Sequence, residues 1–231
     1  GHVCQREAQA LAEHASGVGA DGIGEIGPVF FRPDTVEALV DYCEQTAAAA
    51  PDLSYYYYHM PSMNHVDFLM HDFLEVADGR IPTLTGIKYT HHDLEDYGRC
   101  VAFGGGKYDV LFGRDEVLKD ARRLGARGAV GSTYNILAPL YHRLIQADEE
   151  SDWVEVDRLQ AISVKAIDLL AGSGGFMSGM KRVLVGLGLE LGGMKCPQKN
   201  LSEADGDALL TALTEAGVMT YLNTPAVSEV A

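Results

Sequence analysis

The stretch Thr83-Leu84-Thr85-Gly86-Ile87-Lys88 decides the fold class, because its composition predicts a short buried β-strand that ends in a charged residue. Other short runs rich in β-branched or aromatic residues occur at Gly22–Ile26, Leu53–Tyr58, Asp109–Phe112 and Gly128–Ser132. Successive runs start roughly 20 to 30 residues apart. This rhythm is typical of a βα repeat, in which parallel strands are buried on both faces. We therefore predict an α/β protein with five parallel strands.

Helical patterns fill the intervals between these strands. Asp34 and Glu37 have the spacing of a capping box. An apolar stripe at positions i, i+3, i+4 and i+7 follows, formed by Val36, Leu39, Val40 and Cys43. Another helix is expected over Asp115–Leu124, acidic at its start and stopped by Gly125. After the last strand, helices are predicted at Leu137–Ala147, Trp153–Leu170, Met177–Leu187 and Glu203–Ala216.

Two architectures have this order of elements, a doubly wound sheet and part of a (β/α)8 barrel. A doubly wound nucleotide-binding sheet carries a glycine fingerprint directly after its first strand. Gly17-x-Gly19-x-x-Gly22 matches this fingerprint by letters but comes before a strand instead. That context favours a helix stop and a turn over a phosphate-binding loop.

The net charge limits the classes of molecule that the protein can bind, and the cysteine pattern indicates its compartment. The 231 residues hold 18 Lys and Arg against 33 Asp and Glu, a formal net charge of −15. Such a chain is a poor candidate for binding nucleic acid or anionic membranes. The isolated cysteines are Cys4, Cys43, Cys100 and Cys196. Their spacing indicates free thiols in a reducing compartment, and the first residues lack the features of a signal peptide, so we expect a cytoplasmic protein.

No metal site is expected from the sequence. His91 and His92 are adjacent, so on a regular element their side chains diverge instead of sharing one ion. The acidic residues that follow favour the solvated start of a helix.

Lys88 is the first candidate for chemistry. It ends an apolar strand, and period-2 alternation places Leu84, Gly86 and Lys88 on one face. Desolvation can lower a lysine pKa from about 10.4 to roughly 7–8, which frees the amine to attack a carbonyl carbon. The alternative is an interior lysine that pairs with a carboxylate.

A run of tyrosines supplies the second candidate. Alternation separates Tyr56 and Tyr58 from Tyr55 and Tyr57, and Pro61 ends the strand. A phenol at the carboxyl end of a strand can relay protons. The alternative is a structural tyrosine, which is the more common use.

Four motifs in order carry a resemblance to a known family. They are Tyr57–Pro61, Gly86–Thr90, Phe112–Glu116 and Gly128–Asn135. Together they resemble the pyruvate-dependent aldolase family that includes dihydrodipicolinate synthase, and within it the N-acetylneuraminate lyase branch. The resemblance implies a (β/α)8 TIM barrel of the class I aldolase type with extra C-terminal helices, usually a homotetramer. It assigns residues 1–136 to barrel strands 4–8 and residues 137–231 to the last barrel helix and the helical extension of a single domain.

The resemblance also implies roles for particular residues. Lys88 would form a Schiff base with the ketone carbon that becomes pyruvate, and Tyr58 would shuttle a proton to and from the substrate hydroxyl. Thr90 matches the threonine that helps to hold the substrate. The positions that match the binding site for the polyhydroxylated tail are Gly113, Asp115, Glu116 and Ser132. No metal or diffusible cofactor is implied, because the imine on Lys88 is the electron sink.

The implied activity is aldol cleavage of N-acetylneuraminate, a sialic acid, to N-acetylmannosamine and pyruvate. The alternatives are another pyruvate-dependent aldolase and a catalytically inactive truncated homologue. The segment after Pro61 lacks the arginine expected of the dihydrodipicolinate enzyme. His2–Cys4 resembles the end of the third barrel strand, so the first βα units, with the loop that binds the substrate carboxylate, are expected to be missing.

Overall fold

The computed structural model describes residues 1–224. The chain divides into two compact units. The first comprises residues 1–114 and 120–130, and the second comprises residues 115–119 and those from 131 onward. The functional division expected at residues 136 and 137 stays a prediction.

A parallel four-stranded sheet forms the centre of the first unit. Within the described residues its strands are β1 (Gly22–Ile26), β2 (Ser54–His59), β3 (Leu84–Tyr89) and β4 (Asp109–Phe112). They lie side by side in chain order, β1-β2-β3-β4. Each strand is joined to the next by helical connections, as a parallel arrangement requires. Four of the five predicted strands are therefore confirmed.

The fifth predicted strand, Gly128–Ser132, is wrong as an extended strand. Only Ala129 bridges to Phe112, through hydrogen bonds from Phe112 N to Gly128 O at 3.0 Å and from Val130 N to Phe112 O at 2.8 Å. Three residues after Val130, the backbone N–H of Thr133 donates to the carboxylate of Asp115 at 2.8 Å. The backbone donor just beyond the predicted segment therefore binds a side chain and not a neighbouring strand.

A register shift changes the predicted faces of β3. Tyr55 pairs with Leu84, but Tyr56 pairs with Gly86, so that Thr85 is passed over. Paired residues of parallel strands point to the same side, and Leu84 therefore shares the face of Tyr55 and not that of Lys88. The prediction that Leu84 and Lys88 share a face is wrong. The prediction that Gly86 and Lys88 share a face is confirmed.

Gly86 is required by the close approach of the strands. A β-carbon at this position would lie 1.9 Å from the carbonyl oxygen of Asp109 and 2.9 Å from a ring carbon of Tyr56. No side chain fits such a gap, so the packing of neighbouring strands requires the glycine of the Gly-Ile-Lys motif.

Helices cover one face of this sheet. Up to residue 123 the helices of the chain are α1 (Gln5–Gly17), α2 (Val36–Ala48), α3 (Pro61–Asn64), α4 (Met70–Ala77), α5 (Leu94–Ala102) and α6 (Leu118–Arg123). Tyr57 of β2 stacks on Phe73 of α4 with ring centroids 4.9 Å apart. Tyr89 of β3 packs edge-on against Tyr97 of α5 at 5.4 Å. We call this helix-covered side, which carries Tyr55, Tyr57 and His59, the outer face.

The N-terminal cap of α2 differs from the prediction. Thr35 and not Asp34 is the cap, and its Oγ1 accepts a hydrogen bond from Ala38 N at 3.2 Å. A capping side chain must lie one residue before the first helical residue, here Val36, and Asp34 is one position too early. The apolar stripe is confirmed, with Leu39, Val40 and Cys43 buried.

The second unit is helical. Its long helices are α7 (Tyr134–Glu149), α8 (Trp153–Gly172), α9 (Phe176–Gly186) and α10 (Glu203–Glu215). All four predicted helices are confirmed. Helix α7 begins three residues before its predicted start and contains a distortion at Leu137. The predicted Asp115–Leu124 helix begins with a 3-10 turn at Asp115–Val117 and continues as α6, before Gly125 at φ 96°. No helix in residues 1–224 is long and apolar enough to cross a bilayer.

Candidate active site

Lys88 and Tyr58 are direct neighbours near the carboxyl ends of β3 and β2. They are paired in register, and the ammonium nitrogen Nζ of Lys88 lies 4.0 Å from the centroid of the Tyr58 ring. Both side chains are half-buried on the face opposite the outer face. A cation over an aromatic ring is attracted by the electron density of the ring face. The two residues that the sequence selected are therefore brought together.

Lys88 forms no ion pair with a carboxylate of the described residues. The alternative interpretation, a lysine neutralised by an acidic partner, has no support in this geometry. Tyr58 donates its hydroxyl hydrogen bond to Sδ of Met60 at 3.1 Å. Because a thioether is a weak acceptor, this contact leaves the phenol available to a stronger one. Sequence reasoning missed Met60, although it lies only two residues beyond Tyr58.

Thr90 and Gly113 lie just beyond β3 and β4, at the carboxyl edge of the sheet. Gly113 N donates to Tyr89 O at 2.8 Å, and a β-carbon on Gly113 would lie 1.9 Å from Oγ1 of Thr90. Position 113 therefore admits only glycine beside this threonine. Oγ1 of Thr90 is buried and has no hydrogen-bond partner among the described residues. A buried hydroxyl without a partner is costly, and a bound ligand can satisfy it.

The other predicted binding residues belong to the second unit. Asp115 is buried, and its Oδ2 accepts hydrogen bonds from N and Oγ1 of Thr133 at 2.8 and 2.5 Å. Glu116 is half-buried and Ser132 is exposed. Asp115 therefore holds the turn before α7, and sugar binding by these three residues stays a prediction.

Tyr134 is a further polar group that the sequence reasoning did not assign. Its hydroxyl is buried without a hydrogen-bond partner in the described part of the chain. Burial, followed by the nearby charge of Asp115, raises its pKa above the ordinary value. The sequence could have indicated this residue, because Tyr134 is part of the Gly128–Asn135 motif.

Two clusters of potential metal ligands occur in the described residues. One consists of His59, Asp67 and His91, and the other of His71, Asp72 and Glu75. His92 belongs to neither cluster. Its ring centroid lies 4.2 Å from that of His91, so the prediction that the two side chains diverge is wrong. Neither cluster includes Lys88 or Tyr58.

The geometry defines a class of enzyme site. A lysine amine without a carboxylate partner lies beside a phenol, near the carboxyl ends of parallel strands in a βα-repeat sheet. Enzymes use a lysine amine of this kind as the nucleophile that attacks a carbonyl substrate. In βα-repeat barrels the active site lies at the carboxyl ends of the strands.

Comparison with known proteins identifies the family. The model of the Dihydrodipicolinate synthetase family matches residues 1–216. N-acetylneuraminate lyase of Mus musculus is 36% identical over 228 residues, which are 97% of this chain and 70% of the relative. The chain belongs to the dihydrodipicolinate synthetase family.

Solved structures agree with this assignment. Proteus mirabilis N-acetylneuraminate lyase matches with a TM-score of 0.89 at 33% identity, over 93% of this chain and 72% of that chain. The sialic acid aldolase of Aliivibrio salmonicida matches with a TM-score of 0.89 at 35% identity, over 96% and 72% of the two chains. The α/β fold of the (β/α)8 barrel type and the resemblance to the lyase branch are confirmed. The chain spans about 70% of the length of these relatives.

Proposed function

We propose that this chain is an N-acetylneuraminate lyase that cleaves N-acetylneuraminate to N-acetylmannosamine and pyruvate. The observation that carries the proposal is the position of Lys88 Nζ, 4.0 Å from the Tyr58 ring centroid and without a carboxylate partner in residues 1–224. The relatives named N-acetylneuraminate lyase support this substrate over that of another pyruvate-dependent aldolase.

Lys88 begins the proposed reaction. Its neutral amine adds to the keto carbon of the open-chain sugar acid, and loss of water from the adduct leaves a protonated imine. This cation withdraws electrons from the neighbouring carbon–carbon bond. No metal or diffusible cofactor is needed for the step, because the imine itself receives the electron pair.

Tyr58 moves the proton. The hydroxyl on the fourth carbon passes its proton to the phenol oxygen of Tyr58, which gives its own proton to the substrate carboxylate, and the bond between the third and fourth carbons breaks. The fourth carbon leaves as the aldehyde of N-acetylmannosamine, and the electron pair forms an enamine on the lysine. The third carbon then takes a proton, and hydrolysis of the imine releases pyruvate and the free amine.

Substrate binding is proposed for the remaining matched positions. The unpartnered Thr90 hydroxyl is suited to donating a hydrogen bond to the substrate. Gly113 leaves space beside it. Asp115, Glu116 and Ser132 supply acceptors and a donor of the kind that a polyhydroxylated tail requires. We also propose that the protein acts as a cytoplasmic homotetramer.

Borohydride trapping with pyruvate tests the proposal. Reduction of the imine should leave a pyruvyl adduct on the peptide that contains Lys88, detected by mass spectrometry. The adduct should be lost in Lys88→Arg and retained in Lys165→Arg, a matched change at an exposed lysine of α8. A folded sample without an adduct, or an adduct that survives Lys88→Arg, would overturn the assignment of Lys88.

Release of N-acetylmannosamine tests the substrate. Incubation with N-acetylneuraminate should release equal amounts of pyruvate and N-acetylmannosamine. An adduct on Lys88 without this cleavage, but with condensation of pyruvate and another aldehyde, would retain the imine chemistry and reject the sialic acid.

A further inference from the structure

A second site lies on the outer face of the sheet, apart from Lys88. His59 is the last residue of β2, His91 comes two residues after β3, and Asp67 lies between α3 and α4. One potential ligand atom from each lies within 4.8 Å of the other two. Nε2 of His91 is 3.8 Å from Oδ1 of Asp67. The ring centroids of His59 and His91 are 5.3 Å apart.

His59 lacks a partner inside the protein. It is fully buried, and neither Nδ1 nor Nε2 forms a hydrogen bond within residues 1–224. Leaving a buried polar group unsatisfied is unfavourable, and a bound ion can satisfy it. An imidazole nitrogen without a hydrogen-bond partner has a lone pair that a metal ion accepts.

The donor set has the chemistry of a transition-metal site. Two imidazole nitrogens and one carboxylate oxygen are ligands that zinc accepts, whereas calcium and magnesium prefer sets made of oxygen alone. Tetrahedral zinc with bonds of about 2.0–2.2 Å holds its ligand atoms about 3.4 Å apart. The 3.8 Å separation between His91 and Asp67 is already close to this value. Asp67 is exposed, so its carboxylate has room to rotate toward the ion.

We propose that His59, Asp67 and His91 bind one divalent transition-metal ion, zinc by preference, with the fourth position open to water. The ion would tie the end of β2 to the loop after β3 and to the segment before α4. Because His59 is on the outer face and Lys88 is on the other, the role of this ion is to stabilise the first unit and not to react with substrate.

Zinc titration of the metal-free chain tests the site. Isothermal calorimetry with zinc chloride, after removal of metal by a chelator and desalting, should find binding that depends on these three residues. His91→Asn and Asp67→Asn should each weaken this binding by at least about 100-fold, since even outer-shell changes cost 10–100-fold in metal affinity. Both positions are more accessible than His59, so these variants are the ones expected to fold.

Matched variants separate this site from others that bind zinc. His71→Asn alters the second cluster, His14→Asn alters an exposed histidine of α1, and Cys4→Ser removes an exposed thiol. All three should retain the site. The cobalt complex should give the visible absorption of a tetrahedral ion, lost in His91→Asn. Equal zinc affinity in the wild type and in both Asn variants, or no binding by the folded wild type, would overturn the proposal.

Discussion

The two faces of β2 carry the same type of residue in different surroundings. Tyr55 and Tyr57 are fully buried on the outer face, against helices, whereas Tyr56 and Tyr58 are half-buried on the opposite face. Tyr55 donates a hydrogen bond to the buried carboxylate of Glu25 at 2.8 Å, and Tyr58 lies beside Lys88. The face of the strand on which a tyrosine lies, and not the residue type, therefore separates a packing role from a chemical one.

Replacement of Lys88 on the face opposite the outer face should abolish the reaction. Lys88→Arg should lower the rate of N-acetylneuraminate cleavage by at least about 10⁴-fold, because an arginine cannot form the imine. Pyruvate release, measured under saturating substrate, checks this. The midpoint of urea unfolding should stay close to the wild type, since no ion pair to a described carboxylate is lost. Cleavage activity in the Lys88→Arg variant would contradict the assignment of catalysis to the face of the sheet that carries Lys88 and Tyr58.

Tyr58→Phe should have the next largest effect. Removal of the phenol should lower kcat by about 10²–10⁴-fold, the usual contribution of a positioned acid or base, while the pyruvyl adduct on Lys88 still forms. Cleavage rates and borohydride trapping on the same variant separate the two steps.

Tyr56→Phe is the matched control, because Tyr56 lies on the same face and donates to Oδ2 of Asp109 at 3.1 Å. It should keep kcat within a few-fold and lower the free energy of unfolding by about 1 kcal/mol. Equal losses of kcat in both variants would mean that the face as a whole, and not Tyr58, matters.

Strand alternation and motif spacing made much of this arrangement predictable. Period-2 alternation and the Tyr-Tyr-His and Gly-Ile-Lys motifs identify both Lys88 and Tyr58 as candidate catalytic residues. The register shift at Thr85 was not predictable, because it depends on how two strands pair and not on either strand alone. It moved Leu84 to the outer face.

Groups that assemble from distant segments also escaped prediction. His59, Asp67 and His91 come together through the fold, whereas the sequence drew attention to the adjacent pair of histidines. The end of the fifth predicted strand was lost for a similar reason, since Asp115 binds the backbone at Thr133. A single sequence indicates periodicity but not which side chain competes for a backbone donor.

On the outer face, Tyr55→Phe should alter stability and leave the chemistry intact. The change removes a hydrogen bond to a buried carboxylate, so the free energy of unfolding should fall by about 1–3 kcal/mol, measured by urea denaturation. Tyr42→Phe, whose hydroxyl donates to the backbone of His2 at 2.9 Å in an exposed contact, should cost less. A large loss of kcat in Tyr55→Phe at unchanged stability would contradict the separation of the two faces.

The buried carboxyl group of Glu25 on the outer face should make a small, pH-dependent contribution to stability. Burial raises the pKa of Glu25 above 4.5, and hydrogen bonds from Tyr55 and Thr46 offset this in part. The folded protein therefore keeps this proton to a higher pH than the unfolded chain does. The stability that it contributes is fully present below pH 4.5 and is lost as the pH rises through the folded-state pKa.

The contribution has a slope of at most about 1.4 kcal/mol per pH unit. Urea unfolding at a series of pH values from 4.5 upward measures it. Glu25→Gln should remove this part of the pH dependence, and Glu37→Gln, at an exposed position of α2, should leave it unchanged. If the wild type and Glu25→Gln lose stability in parallel, the carboxylate beneath Tyr55 is not held protonated by burial. Water would then reach Glu25 on the outer face, although Tyr55 and Tyr57 beside it are buried.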